Sequence, residues 1–200
     1  MCATLAQGAH MVSDEDLERA EAYTLIGHLF KAAPTSETLE ILSEFEGDDS
    51  PLGGAVAALA AAARITAPDA ADTEYGDLFI FATEKTDTSP YAAVHRTGSH
   101  FGQTLVDLRA DLAVLGIAKR EDELEPEDHV SAICEVMAGL ISGRLGGGDQ
   151  EQAAVFFRKH VKPWMPAFFT AVAARDDQPF YAAAGRFAQM FLEHETAHYR

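Results

Sequence analysis

Glu125-Pro126-Glu127-Asp128-His129, running into Val130-Ser131-Ala132-Ile133-Cys134-Glu135-Val136-Met137-Ala138-Gly139-Leu140-Ile141, is the stretch on which the fold turns. Val130, Ile133, Cys134, Met137, Leu140 and Ile141 keep the i, i+3, i+4, i+7 spacing of a core-facing helix. Pro126 suits the first helical position, where its missing N–H costs nothing. Glu127 and Asp128 then fall in a first turn, where the helix dipole favours negative charge. The spacing therefore predicts a helix over 126–143 with carboxylates and an imidazole at its mouth. On that reading Glu125 and His129, four apart, share one face.

The helical pattern continues outward. Ser13-Asp14-Glu15-Asp16 reads as a cap and an acidic first turn, opening a helix that Pro34 stops. Ser36 opens a second, carrying Leu39, Leu42 and Phe45. Ser50-Pro51 opens an alanine-rich helix to about Thr66, whose small side chains let neighbouring helices approach closely. Further helices are expected over 69–81 and 98–115. Asp149-Gln150-Glu151-Gln152 resembles a capping box and starts a helix ending near Lys162. Pro163 and Pro166 punctuate a short helix to Ala174, and Asp177 is expected to cap the last. Residues 82–97 form the longest stretch without periodicity, a hinge-like loop. No alternating strand pattern of useful length and no internal repeat is present. The expected fold is all-α, a single compact helical domain over 13–200 behind a flexible N-terminus, 1–12.

Composition narrows the function. Two hundred residues with 48% hydrophobic content support one sizeable core. The formal charge of −17 argues against nucleic acid, whose binding rests on Lys and Arg neutralising phosphates, and equally against an anionic membrane surface. It favours a cationic partner. The 2 cysteines suggest no disulfide framework: Cys2 lies at the terminus and Cys134 on the apolar face of a helix. They indicate a reducing compartment. No secretory signal and no run of the roughly 20 apolar residues of a membrane span is seen, so the expected location is the cytoplasm.

Two patterns invite an enzymatic reading. His194-Glu195-Thr196-Ala197-His198 is a literal HExxH, which on a helix could hold zinc with Glu195 as base. A catalytic zinc needs a third protein ligand, and only Tyr199 and Arg200 remain downstream. Asp128 and His129 could form an acid–base pair, but adjacent helical residues point about 100° apart. His160 and Trp164 read as a core or semi-buried pair, and Gly146-Gly147-Gly148 as a connector. No catalytic residue, metal ligand or cofactor site is therefore assigned.

The Glu125–His129 run resembles the E-P-x-D-H signature of the TorD/DmsD/NarJ family, chaperones that mature molybdenum-containing redox enzymes. Other segments match in order. Glu74-Tyr75-Gly76-Asp77-Leu78-Phe79 resembles the family's acid-aromatic-x-x-Leu-Phe segment, and Ser89-Pro90-Tyr91 its Pro-aromatic loop. Leu115-Gly116 sits just ahead of the signature. Phe156, His160 and Trp164 resemble a later helix, and Phe180-Tyr181 the start of the last. Two places depart: Ala92, Ala93, Val94 and His95 follow Pro90-Tyr91 where many members carry a serine and another aromatic, and Asp111 stands where a tyrosine is frequent. The resemblance implies a cytoplasmic chaperone that binds the N-terminal, twin-arginine leader of a molybdoenzyme catalytic subunit and assists cofactor insertion before export. The implied apolar wall is Tyr75, Leu78, Phe79, Pro90 and Tyr91. Glu125, Glu127 and Asp128 would supply negative charge beside Pro126, and His129 a group whose state changes near neutral pH. The alternatives are a zinc hydrolase acting through residues 194–198 and a structural adaptor without leader recognition. The identity of the client, nucleotide binding, and monomer against domain-swapped dimer stay open.

Overall fold

The computed structural model describes residues 12–81, 87–99, 102–119 and 125–200. Local chemistry sets most of the helix starts. Ser13 Oγ accepts the Asp16 N–H at 3.1 Å while the Asp16 carboxylate accepts the Ser13 N–H, a capping box that opens α1 (Asp14–Lys31). Thr35 caps α2 (Ser36–Ser43), and Ser50 caps α3 (Pro51–Ile65) with Pro51 at the first helical position. α4 (Pro68–Tyr75) continues into a π-helical turn at Gly76–Ile80. α5 (Ala92–Thr97), α6 (Gln103–Val114) and α7 (Val130–Ile141) follow. α8 (Gln150–Phe156), capped by Asp149, runs into a second π-helical turn at Phe157–Val161. α9 (Met165–Ala173) and α10 (Pro179–His198) complete the order.

The architecture is all-α, with no strand among the described residues and one isolated antiparallel bridge between Tyr91 and His129. α7 is the centre: of its residues only Ala132 and Glu135 escape burial. Its main partner is α1. Gly27 permits that crossing, because a Cβ there would meet Cys134 Cβ and the Ser131 carbonyl at 3.3 Å. α10 packs on α9 and α3. At Gly185 a Cβ would lie 2.8 Å from the Ala173 nitrogen, so these two helices meet backbone to backbone. The alanine-rich α3 buries Ala55, Leu59, Ala60 and Ala63, as its composition anticipates. Phe30 ties α1 to the π-helical turn after α4 and to α9: its ring meets Phe79 at 5.6 Å, Phe168 at 5.6 Å and Phe169 at 5.2 Å. Each such ring contributes about 1.5–3 kcal/mol by burial.

Several sequence expectations need correction. The helix after the signature begins at Val130, not Pro126; residues 126–128 form a turn closed by the His129 N–H on the Pro126 carbonyl at 3.1 Å. Glu127 and Asp128 are therefore not first-turn acids, and Glu125 and His129 do not share a helix face. Residues 92–97 are α5 rather than loop, and the helix expected over 98–115 starts only at Gln103. The helix expected over 69–81 is α4 plus its π-helical turn. α10 starts after Gln178, which makes no side-chain cap bond of its own, while Asp177 pairs with Arg175 at 3.1 Å. The expected flexible segment 1–12 lies, except for Val12, outside the described residues, as do 82–86 of the hinge-like loop.

Candidate functional site

The signature and the Pro-aromatic loop are stitched together. The Val130 N–H donates to the Pro90 carbonyl at 2.8 Å, and the Ala92 N–H donates to the Asp128 carbonyl at 3.0 Å. Asp128 Oδ2 accepts the Ala93 N–H at 2.9 Å, which satisfies an amide at the start of α5 that its own segment leaves without a side-chain cap. His129 is the N-cap of α7: its Nδ1 accepts the Ser131 N–H at 3.2 Å and lies 2.7 Å from Ser131 Oγ. That acceptor role places the ring proton of the neutral imidazole on Nε2. The Tyr91 and His129 rings meet edge to face at 5.2 Å. Asp128, His129 and Pro90 are all buried. Their chemistry is turned inward, to hold residues 88–97 against α7.

Glu125 and Glu127 stand at the surface of this knot. The Tyr91 hydroxyl donates to Glu125 Oε2 at 2.6 Å, and burial together with that carboxylate pushes the Tyr91 phenol well up. Tyr75 is pushed up to about 12 by burial and by the Glu125 charge, so the three groups form one neighbourhood. Glu127 receives Arg109 Nε at 2.9 Å and Nη2 at 2.8 Å. These bonds hold its carboxyl below the usual glutamate range. Glu135, exposed on α7, has a loose 3.4 Å contact with Lys31.

Beside these acids opens a groove of about 510 Å³ between α1, α6 and α7. Leu108 and Leu112 of α6, Ile117, and Ile133 and Val136 of α7 form its apolar floor, with Ala132 between them. Glu125, Glu127 and Glu135 stand on its rim together with Lys31, Lys119 and Arg144. The groove thus joins an apolar channel to a rim that carries three carboxylates and three basic side chains.

The aromatic wall inferred from sequence lies elsewhere. Leu78 is fully buried. Phe79 packs on Phe30, Tyr75 and Tyr181, with centroids 5.2–5.6 Å apart. Tyr75 donates its hydroxyl to the Lys31 carbonyl at 2.8 Å. None of the three lines the groove. Ile80 and Phe81, immediately downstream, are exposed, Phe81 to 78%. The groove floor was hidden in the sequence because Leu108, Leu112, Ile133 and Val136 are themselves buried core residues, and helical spacing does not show that a groove opens over them. The exposure of Ala132 between them is a fact of packing.

The HExxH glutamate is likewise committed. Glu195 is fully buried and receives Arg19 Nε at 2.6 Å and Nη2 at 3.0 Å, while His194 and His198 face solvent. No group of three or more metal-ligating side chains gathers among the described residues. His160 and Trp164 are core residues, as expected: the Trp164 indole donates to the His160 carbonyl at 2.7 Å. His160 Nε2 lies 2.8 Å from Asp111, which also receives Lys159 at 3.0 Å. Among the described residues no helix is long and apolar enough to cross a membrane.

The family model for the nitrate reductase delta subunit matches residues 46–170. The chaperone protein TorD of Photobacterium profundum is 27% identical over 133 residues, covering 62% of this chain and 61% of that protein. The chain thus spans less than two thirds of that relative's length. TorD of Aliivibrio fischeri is 26% identical over 198 residues, covering 88% of this chain and 92% of the relative. The Tat proofreading chaperone DmsD of Salmonella typhi is 27% identical over 176 residues, with 84% of each chain covered. The fold resembles the crystal structure of a protein from Archaeoglobus fulgidus designated a redox enzyme maturation protein. That likeness has a TM-score of 0.59 at 20% identity and covers 94% of this chain and 99% of the other.

Proposed function

This chain belongs to the nitrate reductase delta subunit family, the TorD/DmsD/NarJ group, and from that premise we propose that it is a cytoplasmic chaperone for a molybdoenzyme catalytic subunit. Residues 13–200 are the chaperone domain. It binds the N-terminal leader of its client, holds the subunit while the molybdopterin cofactor is inserted, and delays export through the twin-arginine route. It is a binding protein and not an enzyme.

The observation that carries this reading is the groove: an apolar floor of Leu108, Leu112, Ile133 and Val136 beside the carboxylates Glu125, Glu127 and Glu135. A leader joins arginines to an apolar segment. The apolar part lies in the groove as a helix or an extended strand. The arginines reach the acids on the rim, and the charge of −17 draws them in. Tyr91, Glu125, Pro126 and Glu127 form the contact edge. Leu78, Phe79, Tyr75, Pro90, Asp128 and His129 hold that edge in place from behind.

Ala132 supplies the test. It is a partly exposed helical residue that lines the groove, so Ala132→Trp fills the channel without emptying any core position. The untagged catalytic subunit of a co-expressed molybdoenzyme should co-purify with the wild-type chain and fail to do so with Ala132→Trp. Equal recovery with both chains at an unchanged unfolding midpoint would remove the groove from the reading. Recovery with neither would remove the chaperone assignment for that client.

A further inference from the structure

We infer that Arg109 of α6 stands in for a client arginine: it occupies the Glu127 carboxylate in the free protein and gives way when a basic leader enters the groove. This rests on the leader-binding reading above and names how that site discriminates.

The Arg109–Glu127 contact is bidentate, with Nε at 2.9 Å and Nη2 at 2.8 Å from the two carboxylate oxygens. A peptide arginine would use the same fork against the same acceptor. The two partners are unequally seated. The Glu127 side chain is 15% exposed and lines the groove; the Arg109 side chain is 54% exposed. The acceptor is fixed and the donor is free to leave. Lys119 also directs its charge at Glu127, so the carboxylate already sits among competing cations.

The helix that carries Arg109 buries Leu105, Leu108 and Leu112, while Arg109 itself stands on its exposed side. Among the described residues the nearest helix neighbour of α6 is the six-residue α5. Its polar ties are Arg109 to Glu127, and Asp111 to Lys159 and His160. The groove runs along one flank of α6, over Leu108 and Leu112. A second cavity of about 230 Å³ lies along its other flank, between Val114 and Leu115 of the α6 end and Val155 of α8. Phe156 lines both. The buried leucines anchor α6, so what gives way is the exposed Arg109 side chain and not the helix. Exchange of one arginine for another keeps Glu127 paired throughout, so no half-buried charge is left unmatched on the way. A leader without arginine cannot compete for Glu127 and leaves the latch closed.

The experiment titrates two synthetic peptides into the full-length protein. One joins two arginines to an apolar segment; in the other both arginines are glutamine. The chains are wild type, Arg109→Gln, Arg158→Gln and the double variant Arg109→Gln/Glu127→Gln. Arg158 is an exposed arginine paired with Glu151, so its loss changes net charge equally without touching the groove. Arg109→Gln should bind the arginine peptide tighter by about two- to five-fold, the size of a partly exposed ion pair that no longer has to be broken. The glutamine peptide should gain nothing, Arg158→Gln should gain nothing, and the double variant should lose the advantage. Unchanged or weaker binding in Arg109→Gln, or an equal gain in Arg158→Gln, overturns the stand-in and leaves the leader reading intact. Failure of both peptides to bind folded wild type and folded Arg109→Gln overturns the leader reading and this inference with it.

Discussion

Asp128 and Ala93 are joined by a buried hydrogen bond from backbone amide to carboxylate, 2.9 Å long and spanning 35 positions of sequence. The aspartate of the signature is 1% exposed and does not line the groove. Its side chain starts α5, while its carbonyl accepts from Ala92 one residue earlier. The acid therefore sets the position of the loop that presents Tyr91, and through Tyr91 the position of Glu125.

Asp128→Ala should consequently destabilise the fold by about 1.5–3 kcal/mol, the contribution typical of a hydrogen bond to a charged group. Urea unfolding measures it, and amide exchange at Ala92 and Ala93 localises it. Asp128→Asn keeps an acceptor oxygen and should recover much of the loss. An Ala variant with the wild-type midpoint and unchanged exchange would show that the bond holds nothing.

The same contact explains what could and could not be read from sequence. Ser13 and Ser50-Pro51 declare their helices because cap and helix are neighbours in the chain. α5 does not declare itself. Six residues are too few to nucleate alone, and its first amides are satisfied from a distant segment. Pro126 resembles a helix start by every local rule, yet the backbone of Asp128 is already engaged with Ala92, and His129 takes the cap. The family motifs named residues on and behind one rim of the groove. They could not separate Glu125 and Glu127, which reach the groove, from Asp128 and His129, which support it. Leu78 and Phe79 pack inside the fold and do not line the groove for a related reason: helical spacing marks an apolar face but not whether core or groove lies against it.

Glu195 carries the second prediction. Its carboxylate holds Arg19 in a buried, two-point ion pair that ties α10 to α1. Removing one partner of a buried pair leaves the other uncompensated, at a cost of about 3–5 kcal/mol. Glu195→Ala should lower the unfolding midpoint sharply, whereas His194→Ala and His198→Ala, both exposed, should leave it unchanged. The purified chain should carry no stoichiometric zinc by elemental analysis. One zinc per chain, lost in His194→Ala, would instead revive a metal site.

Acidification tests His160. Burial lowers its pKa from 6.5, with Asp111 opposing the shift only in part. A group whose folded value is depressed binds its proton first in the unfolded chain. Its stabilising effect is full above 6.5 and is lost as pH falls toward the folded value. Asp111 acts in the same direction at lower pH: burial opposes its ionisation, but bonds from His160 and Lys159 outweigh that and hold it below 3.8. Glu74 has the opposite sign. Burial raises it above 4.5, against the amides of Tyr181 and Phe180 that it caps, so its effect declines as pH rises through that window. Between about pH 7 and pH 5.5 the histidine should dominate, and the wild-type melting temperature should fall more steeply than that of His160→Asn. Parallel curves for the two chains would mean that the imidazole does not titrate differently on folding.

The last prediction separates the two halves of leader recognition. If arginines meet Glu125, Glu127 and Glu135, part of the affinity is Coulombic. It should weaken between about 0.1 M and 1 M salt, over which the screening length shrinks from about 10 Å to 3 Å. If the apolar segment lies over Leu108, Leu112, Ile133 and Val136, a salt-resistant remainder should persist. Glu135→Gln is the clean probe of the first part. Its side chain is 61% exposed with only a 3.4 Å contact to Lys31, so the fold should tolerate the change within about 0.5 kcal/mol. It should reduce the salt dependence and leave the high-salt affinity alone. Ala132→Trp should do the reverse, removing the high-salt remainder while some attraction at low salt survives. Peptide titrations on the two variants and wild type at both salt concentrations decide the matter. If both variants retain wild-type affinity at both concentrations, the groove and its acids are not where the leader binds.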